Sequence, residues 1–347
     1  VTTVASASGG SEAESIQSIK LNAPLDYAAQ GRAVTTKDYE VFVKKLFPTT
    51  QAVSVWGGED GSYNSATGVS STPEYGKVFI SIKSTTGVDL TSAQKTNLEI
   101  ALAPYKVASI TPVVVDAETT SIILNITIMY DTSATTYTGD QIASLVATTV
   151  SNYSASDLES FNTPFRHSKL LGLIDATDSS ILNSITTVTM AKLFTPTIST
   201  ATDYNLNFNN KFYNPVSGYN ATGGGVIAST GFYLGSVTTS TYFFDDDGSG
   251  NLRIYSLVSG VRTYTNSAAG TVDYENGLIT IGSVTITGVA EVDGTTSTQI
   301  RLTVLPNSND ITPVRNQILE IDTTNTIYNS NVDATASTGV GYSTTTT

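Results

Sequence analysis

The sequence predicts an α+β fold: two linked small α+β modules, followed by a β-rich domain with a polar C-terminal tail. Helical and strand periodicities alternate up to about residue 195. From residue 197 onward, aromatic and β-branched runs are separated at short intervals by Gly, Asn and Asp. Only 14% of the residues are charged. The abundant Thr, Ser, Asn and Gly suit strands and turns better than a helical bundle, whose solvent face needs many charges.

Residues 1–33 are predicted to be a helical connection from an N-terminal part that this sequence lacks. Ser11 and Glu14 have the spacing of a capping box, in which each side chain bonds the other residue's backbone N–H. Pro24 has no N–H to donate to a helical hydrogen bond, so we expect a kink or a restart before Tyr27. The first residue is Val, which we interpret as the sign of a fragment.

Residues 34–116 form the first predicted module. Thr35 starts a helix in which apolar residues recur at helical spacing until Pro48. Alternating strands follow at 52–56 and 77–83, with a long polar loop between them at 61–73. Thr91 caps a second helix, and a strand at 109–115 ends the module. This order fits a small sheet with its helices on one face.

Residues 117–196 are predicted to be a second module of similar organisation. A long strand at 120–130 places Ile122, Leu124, Ile126 and Ile128 on one face. An amphipathic helix is expected at 140–153, short helices at 168–174 and near 179–182, and a strand at 185–190.

The β-rich domain is predicted at 197–328 and the polar tail at 329–347. Glu275-Asn276-Gly277 is the strongest turn signal, because Asn-Gly accepts the positive φ values that a two-residue hairpin requires. The tail is nearly all small and polar, so we expect it to be disordered alone or to depend on a neighbour for its structure.

Composition excludes several kinds of chemistry. The chain of 347 residues carries a net charge of −13, no Cys and one His. Without Cys it has no disulfide, zinc–thiolate site or thiol nucleophile, and one His cannot build a multi-histidine metal site. We therefore predict no metal site, no cofactor and no small-molecule substrate. The negative charge disfavours nucleic acid and anionic membranes, and no apolar stretch is long enough to span a membrane.

Three short motifs could suggest catalysis or phosphate binding. His167 precedes Ser168, but no Gly-x-Ser-x-Gly elbow is present, so we expect a loop in which Arg166 or Ser168 caps the next helix. Glu59 and Asp60 are interpreted as a solvated turn, because neighbouring carboxylates diverge. Residues 223–225 are three glycines without the Lys of a phosphate loop and are interpreted as a flexible joint.

The segment Asp245–Asn251 (DDDGSGN) resembles a calcium loop in composition. Its spacing fails the EF-hand pattern, because Ser256 stands where a bidentate Glu is required. We favour a hairpin turn whose Asp and Asn side chains accept local backbone hydrogen bonds, and a weak cation site is the alternative.

Several segments, taken together, resemble one family. They are residues 9–16 (GGSEAESI), 22–25 (NAPL), 31–40 (GRAVTTKDYE), 52–59 (AVSVWGGE) and 75–83 (YGKVFISIK), with a patchier likeness over 245–277. This combination is similar to the J-type baseplate protein family of contractile phage tails, which includes T4-like baseplate wedge proteins, and fits the carboxy-terminal half of such a protein.

The resemblance implies a structural, non-enzymatic subunit of a virion tail baseplate, assembled in the host cytoplasm. Such a subunit would contact other wedge subunits and copies of itself, form a ring around the hub and rearrange on infection. The composition agrees, since 18 Tyr against one Trp favours protein contacts, although many Tyr would be half-buried strand residues.

We expect contacts from the helix after Thr35 and from the loop at 57–75, although the helix could instead cover only its own sheet. The candidate interface residues are Asp38, Tyr39, Phe42, Trp56, Glu59, Tyr63 and Tyr75. A receptor- or carbohydrate-binding tail protein is the alternative function, because the second half is rich in β-structure and Tyr. A polysaccharide-cleaving enzyme that uses acidic pairs is a third and weaker one.

Overall fold

A computed structural model describes residues 16–333, except 65–67, 71, 86–88, 220–224, 236–239 and 293–294. The predicted capping box at Ser11, most of the glycine run and the tail beyond residue 333 lie outside the described residues. The chain divides into two compact units. The first unit comprises the residues up to Glu118 together with Ser160–Asn162 and Pro313–Ile318. The second comprises Thr119–Glu159, Thr163–Thr312 and the residues from Leu319 onward.

The described residues are organised as α+β, as predicted. The helices are α1 (Ile16–Ala29), α2 (Thr36–Leu46), α3 (Ser92–Leu102), α4 (Gly139–Tyr153) and α5 (His167–Asp175). The strands up to residue 207 are β1 (Thr50–Gly57), β2 (Ser62–Asn64), β3 (Gly68–Ser70), β4 (Lys77–Ser84), β5 (Thr111–Val115), β6 (Glu118–Tyr130), β7 (Ile181–Phe194) and β8 (Ala201–Asn207). The later strands are β9 (Ile227–Ser229), β10 (Phe232–Leu234), β11 (Tyr242–Asp246), β12 (Asn251–Val258), β13 (Val261–Asp273), β14 (Leu278–Val289), β15 (Ile300–Val304), β16 (Gln317–Ile321) and β17 (Ile327–Val332).

Helix α1 runs through Pro24 without a break, so the restart is wrong, and the predicted kink, the other alternative, stays a prediction. A proline inside a helix removes one backbone hydrogen bond, and the helical residues on both sides maintain the helix around it. An exposed ion pair between Asp26 of α1 and Lys45 of α2, at 3.2 Å, links the two helices of the first unit.

Helix α2 begins where the sequence predicts. Thr35 Oγ1 accepts a hydrogen bond from the backbone N–H of Asp38, and Asp38 Oδ2 accepts one from the N–H of Thr35 at 2.8 Å. This reciprocal cap satisfies two donors at the helix start. Thr91 and Gln94 form the same kind of cap at α3.

The first unit contains a three-stranded sheet in the order β1-β4-β5. Strand β4 lies antiparallel to β1 and parallel to β5. Tyr39 and Phe42 of α2 and Leu102 of α3 belong to one buried cluster with Ile80 of β4. The predicted order of helix, strand, strand, helix and strand is thereby confirmed.

The predicted polar loop at 61–73 contains a small hairpin, β2-β3. Tyr63 of this hairpin packs against a second buried cluster, formed by Trp56, Phe79 and Val115. Since Phe79 and Ile80 are adjacent in β4 and belong to different clusters, both faces of the strand are covered.

A six-stranded sheet has the order β16-β6-β7-β15-β9, and β17 also pairs with β6. The inner face of β6 carries Ile122, Leu124, Ile126 and Ile128, all fully buried, as the alternation predicts. The predicted helix near 179–182 is wrong, because β7 begins at Ile181. Antiparallel pairing with β6 stabilises this start, as Ile181 lies opposite Tyr130.

The strands β10, β11, β12, β13 and β14 pair in succession, and β14 pairs again with β10, so the ladder closes into a small barrel. Residues of this barrel, such as Phe244 and Ile281, share one hydrophobic core with Ile122 and Leu124 of β6. The structure thus groups the predicted second module and the β-rich domain in one compact unit. The predicted boundaries at residues 33, 116, 196 and 328 stay predictions.

The first residues of the predicted tail are ordered by a neighbour. Strand β17 lies parallel to β6, with Asn329 opposite Thr127. Pairing with β6 supplies the backbone partners that this polar segment cannot supply alone.

The turn between β13 and β14 is longer than the predicted two-residue hairpin, since the last paired residues are Asp273 and Leu278. Asp273 Oδ1 accepts hydrogen bonds from the N–H groups of Glu275 and Asn276. Gly277 has a φ of +68°, and a Cβ atom there would overlap the backbone of Asn210. Both facts require glycine at position 277.

The inner face of β6 makes a direct stability prediction. Ile126→Ala should lower the free energy of unfolding by about 2–5 kcal/mol, because the truncation leaves a cavity in a closed core. Thr127→Ala, on the outer face of the same strand, is the matched control and should change it by about 0.5 kcal/mol or less. Urea denaturation followed by circular dichroism measures both, and equal effects would contradict the assigned faces.

Candidate interaction surfaces

The predicted contact helix α2 directs its aromatic side chains inward. Tyr39 and Phe42 are each 1% exposed, and Phe42 stacks on Tyr105 with ring centroids 4.3 Å apart. Burial raises the pKa of the Tyr39 hydroxyl. These two residues fill the core of their own unit, which matches the alternative in which the helix covers its own sheet. Asp38 is partly exposed and serves in the helix cap.

The residues predicted as contacts in and beside the loop at 57–75 differ in their exposure to solvent. Trp56 is buried and stacks on Phe79 at 5.6 Å. Tyr63 is half-buried, and desolvation, with three nearby carboxylates, raises the pKa of its hydroxyl to about 12. Glu59 is exposed, and Tyr75 is 80% exposed. The candidates accessible to a partner are therefore Asp38, Glu59 and Tyr75, whose interface role stays a prediction.

The three carboxylates of the segment Asp245–Asn251 point to different partners. Asp245 is 1% exposed and accepts hydrogen bonds from Arg253 Nε at 2.9 Å and from Arg262 Nη1 at 2.6 Å. The hydroxyl of Tyr264 also donates to Asp245, at 3.0 Å. One buried carboxylate is thus shared by two guanidinium groups, which offsets the cost of taking its charge out of water.

The other two carboxylates, Asp246 and Asp247, accept hydrogen bonds in the barrel and in the turn, respectively. Asp246 is buried and accepts hydrogen bonds from the Tyr274 hydroxyl at 2.7 Å and from the Ile227 N–H at 2.9 Å. Asp247 accepts the N–H groups of Ser249 and Asn251. The hairpin turn between β11 and β12 is confirmed. Within the described ranges, no three metal-ligating side chains converge.

His167 lies at the start of α5, in a cap that comes from a distant loop. Asp310 Oδ1 accepts the N–H of His167, and Asp310 Oδ2 accepts Arg166 Nη1, both at 2.9 Å. Arg166 is the N-cap residue, as one of the two predicted alternatives has it, but no side-chain cap bond is formed from that position, and the cap comes from Asp310 instead. A carboxylate both accepts the free N–H groups and favours the positive end of the helix dipole. His167 Nε2 lies 3.3 Å from the Thr186 carbonyl oxygen.

The outer faces of β6 at 123–129, of β7 at 183–189 and of β17 carry no charged side chains of their own, and we call this surface the neutral face. Glu320 of β16 lies at its border, where it accepts a hydrogen bond from the hydroxyl of Ser121. The residues of the neutral face are Ile123, Asn125, Thr127, Met129, Asn183, Ile185, Thr187, Thr189, Ile327, Asn329 and Asn331. Ile185 and Ile327 are more than half exposed. The amide of Asn329 donates to Asn125 Oδ1 across the strands at 3.1 Å, so side chains on this face interact laterally.

Sequence reasoning did not find the neutral face. The alternation that places Ile122 and Leu124 inside also places Ile123 and Asn125 outside, which was an available signal. The contribution of β17 was not available, because it pairs with a strand about 200 residues earlier.

Comparison with known proteins identifies two matching domains. Residues 35–115 match the family model described as "Baseplate structural protein gp6, C-terminal domain I", and residues 118–193 match "Baseplate structural protein gp6, C-terminal domain III". The baseplate wedge protein gp6 of Enterobacteria phage T4 is 28% identical over 187 residues, which cover 54% of this chain and 26% of that protein. The chain thus spans about a quarter of the length of this relative.

Both matched models describe structural proteins of a baseplate. More particularly, residues 35–193 are similar to the C-terminal part of a T4-like baseplate wedge protein, which confirms the resemblance found in the sequence. Helix α2 lies in the first matched domain, and the β6 and β7 strands of the neutral face lie in the second. In the part of the chain that the structure describes, helices long and apolar enough to cross a membrane are absent.

The shared carboxylate predicts a large effect of a single substitution. Asp245→Asn should lower the free energy of unfolding by about 3–5 kcal/mol, because Arg253 would keep a buried charge without its counter-ion. Asp247→Asn, which alters only the turn, should cost about 1 kcal/mol. Chemical denaturation of both variants tests this, and a mild effect of Asp245→Asn would show that the network is dispensable.

The cap of α5 predicts a pH dependence. The hydrogen bond from Arg166 and the N–H of His167 lower the pKa of Asp310 below its ordinary value of 3.8. A carboxylate with a lowered folded-state pKa stabilises the fold above 3.8 and loses that contribution as the pH falls through its folded-state pKa. Asp310→Asn should therefore be less stable than the parent by about 1 kcal/mol at pH 7.

The same difference should shrink toward zero as the pH falls below about 3.8. Thermal unfolding of both proteins across this range measures the effect. Ser308→Ala is the control, because Ser308 bonds the backbone of Asp310 and has no titrating group. A difference that stays constant with pH would contradict the assigned role of the carboxylate.

Proposed function

We propose that this chain is a structural subunit of the baseplate wedge of a contractile phage tail. The observation that carries the proposal is the match of residues 35–193 to two C-terminal domains of the baseplate structural protein gp6. In this proposal the protein acts through contacts with other wedge subunits and with copies of itself, and it catalyses no reaction. It would be located in the tail baseplate of the virion after assembly in the host cytoplasm.

The neutral face supports a role in protein contacts. The chain carries a net charge of −13, so most of its surface resists close approach by another acidic protein. A face without charged side chains can be buried without desolvating ions. Its Thr and Asn side chains supply hydrogen bonds, and Ile185 and Ile327 supply apolar area. Such a surface keeps a subunit soluble before assembly and specific within it.

The family resemblance extends the proposal to architecture. Wedge subunits of this kind would join into a ring around the tail hub, and the ring would rearrange when the tail contracts at infection.

A density map of the intact tail particle tests the location. The two units should fit into density of the baseplate wedge, in several copies around the hub. Fitting at the tip of a fibre would instead favour the alternative, a receptor- or carbohydrate-binding tail protein. Absence of the chain from the particle would overturn both functions.

The neutral face makes a further prediction about assembly. Ile185→Asp should leave the folded chain intact, since Ile185 is more than half exposed, but should reduce its incorporation into tail particles at least about tenfold. The loss is expected because the new carboxylate would be buried in the contact without an opposite charge beside it. Val216→Asp, which is similarly exposed and outside the neutral face, is the matched control.

Incorporation is measured by quantitative blotting of purified tails, and folding by circular dichroism of the free variants. Equal incorporation of the two variants would remove the neutral face from the assembly contact.

A further inference from the structure

The hairpin of β12 and β13 ends in an exposed tip, which we define as residues 256–263. Val258 and Val261 face each other across a two-residue loop, Ser259-Gly260. Both loop residues have positive φ, at 53° and 81°, as a tight type I′ turn requires. Such a turn continues the twist of its two strands.

The apolar pattern of this hairpin continues beyond the core. In β12, Leu252 and Ile254 are buried inside the barrel. Because side chains alternate along a strand, Val258 lies on the same face of β12 as Leu252 and Ile254. Val258 is nevertheless 56% exposed, and its cross-strand partner Val261 is 67% exposed. On the opposite face, the exposed Leu257 is paired with Arg262. Side chains that would normally be covered therefore protrude from both faces of the tip.

The base of the tip is held by contacts between arginine and tyrosine side chains. The Arg262 guanidinium lies 4.6 Å from the ring centroid of Tyr255, and that of Arg253 lies 4.2 Å from the ring of Tyr264. The two rings are cross-strand partners with centroids 6.0 Å apart. These contacts hold the two guanidinium groups in addition to their ion pairs with Asp245. A protrusion fixed before binding loses little conformational entropy when a partner covers it.

The charged residues at the base of the tip indicate what kind of surface would be complementary to it. From Gly248 to Val272 the chain contains Arg253 and Arg262 and no acidic residue, although the whole protein is strongly acidic. The two guanidinium groups share the single carboxylate of Asp245, which leaves one positive charge in this group of three side chains. Arg262 is the outer of the two guanidinium groups on Asp245, with 35% of its side chain exposed against 8% for Arg253. A complementary surface would be apolar at its centre and carboxylate-bearing at its rim, beside Arg262.

We propose that the hairpin tip inserts into an apolar groove edged by carboxylates on a different protein of the same particle. Val258, Val261 and Leu257 fill the groove, and Arg262 pairs with a rim carboxylate. This inference rests on the proposed function, because it takes the tail particle as the place where the partner is found.

Cross-linking in the assembled particle tests the contact directly. A photoreactive benzoylphenylalanine is introduced at position 258, tails are purified and irradiated, and the linked peptides are identified by mass spectrometry. The expected result is one dominant peptide from another tail protein that combines apolar residues with Asp or Glu. The same probe at position 216 is the control and should not link to that peptide. Links only within this chain, or to a second copy of it, would overturn the proposed partner.

Charge substitutions at one position test the complementarity. Val258→Asp should reduce incorporation into tails about tenfold, because its charge would be desolvated in the apolar groove and repelled by the carboxylates along the rim. Val258→Lys should reduce incorporation less, because the same carboxylates attract its charge. Both side chains lie at an exposed position, and circular dichroism of each free variant checks folding. Equal losses, a greater loss for Val258→Lys, or no loss in either would overturn the proposal.

The baseplate function and the contact of the hairpin tip can be disproved independently. If the parent chain is absent from purified tails, the proposed baseplate function is wrong. If the parent chain is present and its hairpin tip forms no link to another protein, only the inference about the tip is wrong.

Discussion

The second unit depends on the burial of one face of strand β6. In this strand of 13 residues, every second side chain from Ile122 to Ile128 is completely buried, and the strand pairs with β7 on one side and with β16 and β17 on the other. A period of two assigns one face to the core and the other to the outside, and a shift of one residue would exchange them. The neutral face is therefore set by the same alternation that builds the core.

Much of the local structure could be predicted, because the signals lie within a few residues of one another. Thr35 with Asp38 and Thr91 with Gln94 specify helix starts that the structure reproduces. The alternation in 120–130 identified the buried face of β6. The errors occurred where distant residues decide. Ile181 starts a strand because β6 is beside it, and α5 is capped by Asp310, which lies 143 residues away from His167.

The candidate contact residues also depend on information that the local sequence does not carry. Tyr39, Phe42 and Trp56 are among the predicted contact residues, and all three are buried in the first unit. Aromatic side chains serve both cores and interfaces, so their identity alone does not separate the two uses. The proposed contact surface is instead distinguished by the absence of charged side chains over an exposed face. Reading it requires the pairing of β17 with β6, which no local pattern encodes.

The pairing of β17 with β6 also has a consequence for how the protein forms in the cell. Residues 327–332 must be synthesised before β6 obtains this neighbour, about 200 residues after β6 itself. At about 5–20 residues per second, translation of that interval takes roughly 10–40 s. During this time one edge of a long apolar strand lacks its late partner, and an unpaired edge of this kind is prone to pair with other chains. The rate of translation over the second half of the chain thus sets how long each nascent subunit is vulnerable to aggregation.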